Sequence, residues 1–362
     1  GGIFKLAFDV SATGDNPIPM ASAKYNEEGD LIFADASEDY NDIGKCIEIV
    51  SLNNERILSG LHTLLARPEK SRMVIGFAGY LMKSGNVKLQ IQREAQGTKV
   101  LSITSGRLSQ IDLIFPTLPE QLKIANFFTA IDQRISQLKR KKSLLEQYKK
   151  GLMQKIFSQE IRFKDKNGQE FPKWERKKLS EYLYVSKNKN FANKYGKEDV
   201  LSVSGDYGIV NQIEFQGRSF AGESVLNYGE VETGDIVYTK SPLKNNPYGI
   251  IKVNKGKAGI VSTLYAVYKC KDNALGEYFD YYFQLDEKLN GYLRPLVHKG
   301  AKNDMKINNE RVLIDTLSVP CKKEQEKIVN FFNAIDSKIN HTQKQIEKAD
   351  VWKKGLMQQM FV

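Results

Sequence analysis

The sequence predicts an α+β protein in which two mixed α/β domains are separated by two long helices that form an antiparallel coiled coil with pseudo-two-fold symmetry. Three observations lead to this prediction. One helical stretch occurs twice, 204 residues apart and without a gap. Both copies carry an apolar seam with heptad spacing, and the segment before each copy is rich in strand-forming residues. The chain therefore reads as domain, helix, domain, helix.

The repeated stretch is the most informative part of the chain. Residues 127–154 read FFTAIDQRISQLKRKKSLLEQYKKGLMQ, and residues 331–358 read FFNAIDSKINHTQKQIEKADVWKKGLMQ. The same offset continues upstream and relates Pro116 to Pro320, Glu120 to Glu324 and Gln121 to Gln325. Such close agreement indicates two helices that share one structural role.

Apolar side chains recur every three or four residues along both copies. The seam consists of Phe128, Ile131, Ile135, Leu138, Leu145 and Leu152 in the first copy, and of Phe332, Ile335, Ile339, Ile346 and Leu356 in the second. A seam of this length is typical of a coiled coil, and each helix of about 38 residues would be roughly 57 Å long. Because one helix cannot bury its seam alone, the other copy is the predicted partner. Pairing about a two-fold axis makes the helices antiparallel.

Gly151 and Gly355 lie inside the predicted helices, where glycine costs about 1 kcal/mol relative to alanine. We expect them to permit a close approach of two backbones. The alternative is a helix that kinks or ends at each glycine.

The domains differ in length. The predicted boundaries are 1–118 for the first domain, 119–158 for the first helix, 159–320 for the second domain and 321–362 for the second helix. Strands are predicted at Asp30–Ala34, Cys46–Ser51, Leu61–Ala66 and Val100–Ile103, and a short helix is predicted at Met73–Met82. By comparison with the second domain, we expect the given sequence to lack roughly 40 residues of the first domain at its N-terminal side, among them a counterpart of Phe171–Leu183.

Composition and charge narrow the class of protein. The formal net charge of +11 favours a polyanionic partner, and residues 119–158 are the most basic segment, with 9 Lys and Arg against 3 Asp and Glu. Three widely spaced cysteines without a C-x-x-C pair predict reduced thiols rather than disulfides or a zinc site. No apolar run is long enough to span a membrane and no secretory signal is recognisable, so we expect a cytoplasmic protein.

Motifs for catalysis are missing from the sequence. The Gly-Lys pairs lack the upstream glycine of a phosphate-binding loop. Asn245-Asn246-Pro247-Tyr248 faintly resembles the N-P-P-[YF] of amino-group methyltransferases, but it has one proline and no preceding glycine-rich loop, so we interpret it as a turn. His62 lies in an apolar run and is expected to be an interior or groove residue rather than a base. We therefore predict a chain that is not an enzyme and holds no metal.

Four segments together resemble a known family. They are LPEQLKIANFFTAID at 118–132 with its less complete copy at 319–336, KKGLMQ at 149–154 and 353–358, GDLIFAD at 29–35, and FPKWE at 171–175. On these segments the chain resembles the specificity (S) subunit of type I restriction–modification systems. The resemblance covers essentially the whole chain, and two copies at one spacing make it specific.

The resemblance implies a function for each part of the chain. The domains would be target recognition domains, each reading one half of a bipartite site in double-stranded DNA, and the helices would set the distance between the halves. It also implies two modification subunits, which bind S-adenosylmethionine and methylate adenine, and up to two restriction subunits, which use ATP and Mg. The chain itself would hold no cofactor and no active site.

The residues that contact DNA are expected in two loops of each domain. The loop after each Gly-Asp strand contributes Ser37, Tyr40 and Asn41 in the first domain and Lys240, Ser241, Lys244 and Asn245 in the second. A later turn contributes Arg93, Thr98 and Lys99 in the first domain and Lys299, Lys302 and Asn303 in the second. These side chains can bond phosphates or base edges. For each of them a plain solvated loop residue is an equal alternative.

Two other functions fit parts of the sequence. One is a coiled-coil scaffold whose domains bind proteins, and salt-dependent binding of duplex DNA by the assembled complex would distinguish the two readings. The other is a stand-alone methyltransferase, which would require the purified chain alone to transfer methyl groups.

Overall fold

The structure is a computed structural model that describes residues 25–243, 245–297, 305 and 307–361, and the backbone of residues 3–4. The chain divides into two compact units. The first unit consists of residues 1–142 together with 341–362, and the second consists of residues 143–340. Each long helix therefore gives one part of its length to each unit, so that neither unit is a continuous stretch of sequence.

The described residues of the first unit form short strands, three short helices and parts of both long helices. Its elements are β1 Ile3–Phe4, β2 Leu31–Ala34, β3 Ala36–Ser37, β4 Cys46–Glu48, β5 Thr63–Ala66, α1 Ala78–Leu81, α2 Gly85–Glu94, β6 Leu101–Ser102, α3 Ser105–Leu108, β7 Leu113–Ile114 and the start of α4 Leu118–Phe157. Antiparallel pairing gives a three-stranded sheet in the order β4-β2-β5 and the two-stranded pairs β3-β6 and β1-β7.

The second unit contains a larger sheet. Its elements are β8 Glu175–Lys178, β9 Leu183–Val185, β10 Leu201–Ser204, β11 Gly208–Asn211, α5 Gln212–Gln216, β12 Gly229–Val231, β13 Ile236–Thr239, β14 Ile251–Val253, β15 Gly259–Val261, β16 Tyr265–Cys270, α6 Gly276–Phe283, α7 Asp286–Leu293, β17 Thr316–Val319 and the start of α8 Lys322–Met360. The main sheet has the order β14-β13-β16-β9, and the pairs β10-β11, β12-β15 and β8-β17 are also antiparallel.

The central strands of the two sheets show why these sequences form strands. In β2, Leu31 and Phe33 are buried and alternate with half-buried residues, the pattern of a strand with one face against the core. All four residues of β13 are buried, because both faces of this strand are covered. The predicted strands of the first domain overlap β2, β4, β5 and β6.

The helix predicted at Met73–Met82 is much shorter than that range, because α1 begins only at Ala78. Gly76 has a φ of +92°, which interrupts a right-handed helix before α1. The Glu48 carboxylate accepts hydrogen bonds from the backbone N–H of Gly76 at 2.6 Å and of Gly79 at 2.7 Å. These bonds satisfy N–H groups at the start of the helix that have no partner within it.

The expectation that two backbones approach closely at Gly151 and Gly355 was wrong. Both residues lie inside continuous helices, α4 and α8, so neither glycine ends the helix. A Cβ atom at either position would meet no atom within 4 Å, so no second backbone approaches them.

The two long helices run antiparallel within each unit. In the first unit Asp132 lies against Lys353 and Phe128 stacks on Phe361. Residue numbers therefore rise along one helix where they fall along the other, which means that the two chain directions are opposite. The seam residues are at least half-buried throughout. Phe128, Ile131, Ile135, Leu138, Phe332, Ile335 and Ile346 are buried, and Leu145, Leu152, Ile339 and Leu356 are half-buried.

We call the part of each unit that lies outside the two long helices its body. A buried glutamine attaches the body of the first unit to the start of α4. The Gln121 amide donates to the carbonyl oxygens of Arg72 at 3.0 Å and Pro116 at 2.9 Å, and it accepts from the N–H of Val74 at 2.9 Å. The side chain is only 1% exposed, so these bonds form away from water.

The second unit repeats this arrangement with Gln325, which is fully buried. Its amide donates to the carbonyl oxygens of Asn273 and Pro320, each at 3.0 Å, and accepts from the N–H of Leu275 at 3.0 Å. The offset of 204 residues between the glutamines is that of the helical repeat. The repeat therefore includes the attachment of each body to its helix.

An aspartate of one helix and a lysine of the other form a second repeated contact. In the first unit Lys353 donates to Asp132 at 2.5 Å, and the Tyr80 hydroxyl donates to the other carboxylate oxygen at 2.8 Å. The lysine ammonium also lies 5.3 Å from the centre of the Tyr80 ring. Burial, opposed by a hydrogen bond to Thr129 and supported by Asp132, raises the pKa of Tyr80 to about 12. The stabilisation from this raised pKa is complete below about pH 10 and is lost as the pH rises through 12.

In the second unit the equivalent group consists of Lys149, Asp336 and Tyr281. Lys149 donates to Asp336 at 2.6 Å, Tyr281 donates to the same carboxylate at 2.7 Å, and the ammonium lies 4.9 Å from the tyrosine ring centre. Burial, followed by the hydrogen bond to Asp336, raises the pKa of Tyr281. In both groups a tyrosine of the body bonds to a pair formed by the two helices.

We predict that Gln325→Ala lowers the free energy of unfolding by about 1–3 kcal/mol, because it leaves buried carbonyl and N–H groups without partners. Gln121→Ala should cost a similar amount. Chemical denaturation followed by circular dichroism measures the change, and Gln133→Ala, at an exposed position of α4, is the matched control with an expected effect within about 0.5 kcal/mol. Equal effects of the three substitutions would contradict the role of the buried amides.

We predict that Lys149 and Asp336 are energetically dependent on each other. A double-mutant cycle with Lys149→Met and Asp336→Asn should give an interaction energy of about 1–2 kcal/mol, because the ammonium and the carboxylate are both partly buried. The exposed pair Lys155 and Glu160 provides the comparison, with an expected value below about 0.5 kcal/mol. An interaction energy near zero for Lys149 and Asp336 would show that the contact is not a stabilising one.

Candidate nucleic-acid interface

The structure brings the candidate residues of the first unit together on one surface. Strand β3 pairs with β6, with Ser37 opposite Leu101, so the loop after β2 lies beside the turn that precedes β6. We call this the β3–β6 surface, formed by residues 35–42, 93 and 96–102. The candidates on it are Ser37, Tyr40, Asn41, Arg93, Thr98 and Lys99; Ser37 is half-buried and the other five are exposed.

The turn between Gln96 and Ser102 depends on Gly97. The N–H of Gln96 donates to the carbonyl oxygen of Ser102 at 2.9 Å, and the reverse bond is 2.7 Å. Gly97 has a φ of +123°, and a Cβ atom there would lie 2.0 Å from the carbonyl oxygen of Val100. Only glycine fits such a position. The turn therefore presents Thr98 and Lys99 to solvent from a backbone that is fixed on both sides.

The loop after β2 is held by side-chain and backbone bonds. Asp39 accepts a hydrogen bond from the N–H of Asn41 at 2.8 Å, and the Ser37 hydroxyl accepts one from the N–H of Asp39 at 3.0 Å. Tyr40 donates to the carbonyl oxygen of Gln92, whose amide donates back to the carbonyl oxygen of Tyr40 at 3.0 Å. The loop is thus joined to α2 next to Arg93.

Charge on the β3–β6 surface is mixed. The loop carries Glu38 and Asp39, which are exposed, and Asp42, which pairs with Lys45 at 2.7 Å. Carboxylates repel phosphates, so phosphate contacts would come from Arg93 and Lys99. Carboxylate and amide oxygens of the loop suit the amino groups of cytosine and adenine in the major groove.

The prediction for His62 was wrong. Its side chain is 81% exposed, and its Nδ1 atom lies 3.7 Å from the Asp35 carboxylate at the end of β2. The apolar run around His62 is a loop that precedes β5 rather than a buried strand.

In the second unit the described candidates lie in the connection from β13 to β14. Lys240 is half-buried, and Ser241 and Asn245 are exposed. The N–H of Lys240 donates to the carbonyl oxygen of Leu264 at 3.2 Å, and Asn290 of α7 donates to the carbonyl oxygen of Asn245 at 3.1 Å. Lys244, Lys299, Lys302 and Asn303 lie outside the described residues.

Lys240 has a neighbour that the sequence did not reveal. Burial, followed by repulsion from Lys189, lowers the pKa of Lys240. Lys189 forms an isolated bridge with Gly229 and is 51 positions away in the chain, so no spacing rule could have found it. Lysine ammonium groups are among the side chains that bond to phosphate oxygens of DNA, so both residues are candidates for such a contact.

The Asn245–Tyr248 segment is part of a structural turn. Gly249, which follows it, has a φ of +88°, and a Cβ atom there would lie 2.1 Å from the carbonyl oxygen of Thr239. The Tyr238 hydroxyl donates to the carbonyl oxygen of Tyr248 at 2.8 Å. These contacts agree with the interpretation of the segment as a turn.

A group of exposed aromatic residues near β11 and α5 was not predicted. Tyr207 and Phe215 pack together at 5.1 Å, and the exposed Phe220 lies beside α5, where its N–H donates to the Gln212 side chain at 2.7 Å. The Arg218 guanidinium lies 4.6 Å from the centre of the Phe220 ring. Aromatic rings beside cations can stack on bases or sugars, so this surface joins Lys189 and Lys240 as a candidate for DNA contact.

Among the residues that the structure describes, no three His, Cys, Asp or Glu side chains are grouped to hold a metal ion, and no helix is long and apolar enough to cross a membrane. Burial raises the pKa of the Cys270 thiol to about 11 and raises that of Cys46 further. Both thiols are therefore protonated at neutral pH and are poor nucleophiles.

Comparison with known proteins identifies the class to which this architecture belongs. Residues 22–147 match the family model described as the type I restriction modification DNA specificity domain. The putative type I restriction enzyme MjaX specificity subunit of Methanocaldococcus jannaschii is 25% identical over 345 residues, which cover 91% of this chain and 76% of that protein. The MjaVIII specificity subunit of the same organism is 24% identical over 85% of this chain and 74% of its own.

Solved structures have the same fold. The type I restriction–modification S subunit from M. genitalium superposes with a TM-score of 0.54 at 14% identity, covering 94% of this chain and 84% of that chain. A chain from a study of complex assembly and conformational transition of the type I R-M system gives 0.53 at 16% identity, covering 99% and 90%. The chain therefore has the fold of the specificity subunits of type I restriction–modification systems, and its residues 22–147 match the DNA specificity domain of that family.

We predict that Lys99→Ala weakens DNA binding by the assembled complex and reduces the slope of log affinity against log salt by about 1, because one phosphate contact is lost. Binding is measured by fluorescence anisotropy with a duplex that carries the recognised site, at several salt concentrations. Lys123→Ala, an exposed lysine of α4, is the control and should leave the slope unchanged. A slope unaffected by Lys99→Ala would remove Lys99 from the interface.

Proposed function

We propose that this chain directs a type I restriction–modification complex to a bipartite DNA sequence without being a catalyst itself. Each body would read one half of the site, and the pair of helices would set the distance between the halves. The observation that carries the proposal is the repeated attachment of each body to both helices. Two bodies with different surfaces, fixed in the same way to one helical pair, suit the reading of two different half-sites.

The candidate residues support different roles for the two bodies. In the first unit the β3–β6 surface combines two cations with carboxylates and amides, a set that suits base edges more than phosphates. In the second unit Lys189, Lys240 and the exposed aromatic residues suit phosphates, sugars and stacked bases. We infer that the two half-sites are contacted by different chemistry as well as by different residues.

The proposal includes partners for the chemical steps. Two modification subunits would bind S-adenosylmethionine and methylate an adenine in each half-site, and up to two restriction subunits would supply ATP- and Mg-dependent cleavage. The chain would hold none of these cofactors and would act in the cytoplasm.

Methylome sequencing of cells that carry the intact system tests the proposal. It should show a split motif with a modified adenine in each half, and the motif should be lost when this chain is deleted. Each substituted base pair should then cost about 1–3 kcal/mol of binding by the purified complex. Methylation that persists in the deletion strain would refute the proposal.

We predict that matched insertions change the preferred gap between half-sites. Four residues added to each helix lengthen it by about 6 Å, which corresponds to about 2 bp at 3.4 Å each. Binding is measured on duplexes whose gap varies one base pair at a time. An insertion in one helix only is the control, because it displaces Lys149 from Asp336 or Lys353 from Asp132 and should lower binding at every gap. An unchanged optimum after matched insertions would exclude the helices as the element that sets the distance.

A further inference from the structure

The central strands of the two units end at equivalent positions that carry opposite charges. Strand β2 lies between the antiparallel strands β4 and β5, and β13 lies between β14 and β16 in the same order. Each central strand follows a Gly-Asp pair in the sequence. The residue after β2 is Asp35, and the residue after β13 is Lys240. One structural position therefore bears a carboxylate in the first unit and an ammonium group in the second.

Backbone hydrogen bonds hold Asp35 and Lys240 in the same way. The N–H of Asp35 donates to the carbonyl oxygen of His62 at 3.4 Å, and the N–H of Lys240 donates to that of Leu264 at 3.2 Å. Each acceptor residue immediately precedes a strand that pairs with the central one, β5 after His62 and β16 after Leu264. Because the backbone contacts correspond and the side chains differ, the two residues can be compared directly.

The Asp35 carboxylate is held in place but has an unused acceptor. Its Oδ1 atom is buried, and no described residue donates a hydrogen bond to it, which is uncommon for a buried oxygen. The Nδ1 atom of His62 lies 3.7 Å away, beyond hydrogen-bond distance. The Asp35 side chain is 28% exposed and that of His62 is 81% exposed, so a ligand that displaces the imidazole ring reaches the carboxylate. Asp35 can therefore accept a hydrogen bond from outside the protein.

Lys240 has the opposite hydrogen-bonding character. Its side chain is half-buried, and among the described residues no carboxylate forms an ion pair with it. An ammonium group only donates hydrogen bonds, whereas an ionised carboxylate only accepts them. At the same structural position, the first unit thus offers acceptors and the second unit offers donors.

Duplex DNA presents donors and acceptors at different places. Phosphate oxygens and the N7 and O6 atoms of guanine are acceptors, and the donors are amino groups of cytosine and adenine in the major groove and of guanine in the minor groove. A carboxylate can therefore bond to DNA only through a base, because phosphates repel it. An ammonium group can bond to a phosphate as well as to guanine. A contact made by Asp35 would thus always carry sequence information.

We propose that Asp35 is a specificity-determining residue that accepts a hydrogen bond from the amino group of a cytosine or an adenine. Lys240, at the equivalent position, donates to an acceptor of the other half-site. This inference rests on the proposed function, because it takes each body to contact one half of a DNA site. It deepens that function, since it names the position at which the two bodies require opposite hydrogen-bond partners.

The test uses the assembled complex and the split sequence obtained by methylome sequencing. Competition binding with duplexes that each carry one substituted base pair measures the discrimination at every position of both half-sites. Asp35→Asn should lower discrimination about tenfold at one position, where the wild-type complex requires cytosine or adenine, because an amide both donates and accepts. Asp112→Asn, at an exposed site of the same unit, is the control and should leave every position unchanged.

A second substitution tests the comparison between the units. Asp35→Lys supplies the side chain that the second unit carries at this place, and it should shift the preference at the same position from an amino-bearing base to guanine. Circular dichroism checks that both variants fold, and Asp35→Asn keeps the size of the side chain. His62→Gln should leave the preferred base unchanged, because the carboxylate reads the base directly.

Lys240→Gln should weaken binding, equally on all duplexes if the acceptor is a phosphate and at one position if it is guanine. Lys271→Gln is its control, because Lys271 is exposed at the other end of the same sheet and should not contact the DNA.

Three results would overturn the inference. They are unchanged discrimination at every position in Asp35→Asn or Asp35→Lys, loss of the same discrimination in His62→Gln, and unchanged affinity in Lys240→Gln. The second result would make Asp35 a residue that only positions His62. A wild-type complex without a split motif would instead refute the proposed function, so the two failures are distinguishable.

Discussion

In each unit an ion pair between a lysine and an aspartate joins the two long helices and favours one register between them. A partly buried lysine is costly unless a carboxylate meets it. Lys149 with Asp336 in the second unit and Lys353 with Asp132 in the first each favour the observed register of the antiparallel helices within that unit. A polar position inside a helical seam is a well-attested way to fix register. Tyr80 and Tyr281 then bond to the same carboxylates, so the register of the helices also fixes the position of each body on them.

The two units share these contacts and differ in what surrounds them. Gln121 and Gln325 make the same three kinds of hydrogen bond, whereas Glu120 is exposed and Glu324 is buried beneath Arg162 and Trp174. The contacts that attach each body to the helices are therefore the same in both units, whereas the residues that surround these contacts differ. This difference explains why the sequences of the two helical stretches align without a gap although the two domains differ in length.

Sequence reasoning found the features that depend on local pattern. The heptad seam predicted two long helices, because residues three and four apart lie on one face, and the strand-forming runs predicted β2, β4, β5 and β6. Contacts between residues far apart in the chain, such as Arg162 with Glu324 or Tyr80 with Asp132, were not predictable, because no sequence spacing relates them. The helix predicted at Met73–Met82 was too long for a similar reason. The hydrogen bond from the Gly76 N–H to Glu48, a residue distant in the chain, and the positive φ of Gly76 determine where α1 begins.

The candidate reading residues occupy connections that the main chain holds in place. Gln96 and Ser102 exchange backbone bonds around the turn that bears Lys99, and backbone N–H groups at Thr239 and Lys240 anchor the start of the β13–β14 connection. Glycines at 97 and 249 supply conformations that other residues rarely adopt. Because the fold of these turns does not use the side chains of Thr98, Lys99 or Ser241, such side chains can be exchanged at little cost in stability. A scaffold of this kind allows the recognised sequence to change while the helices and their attachments stay the same.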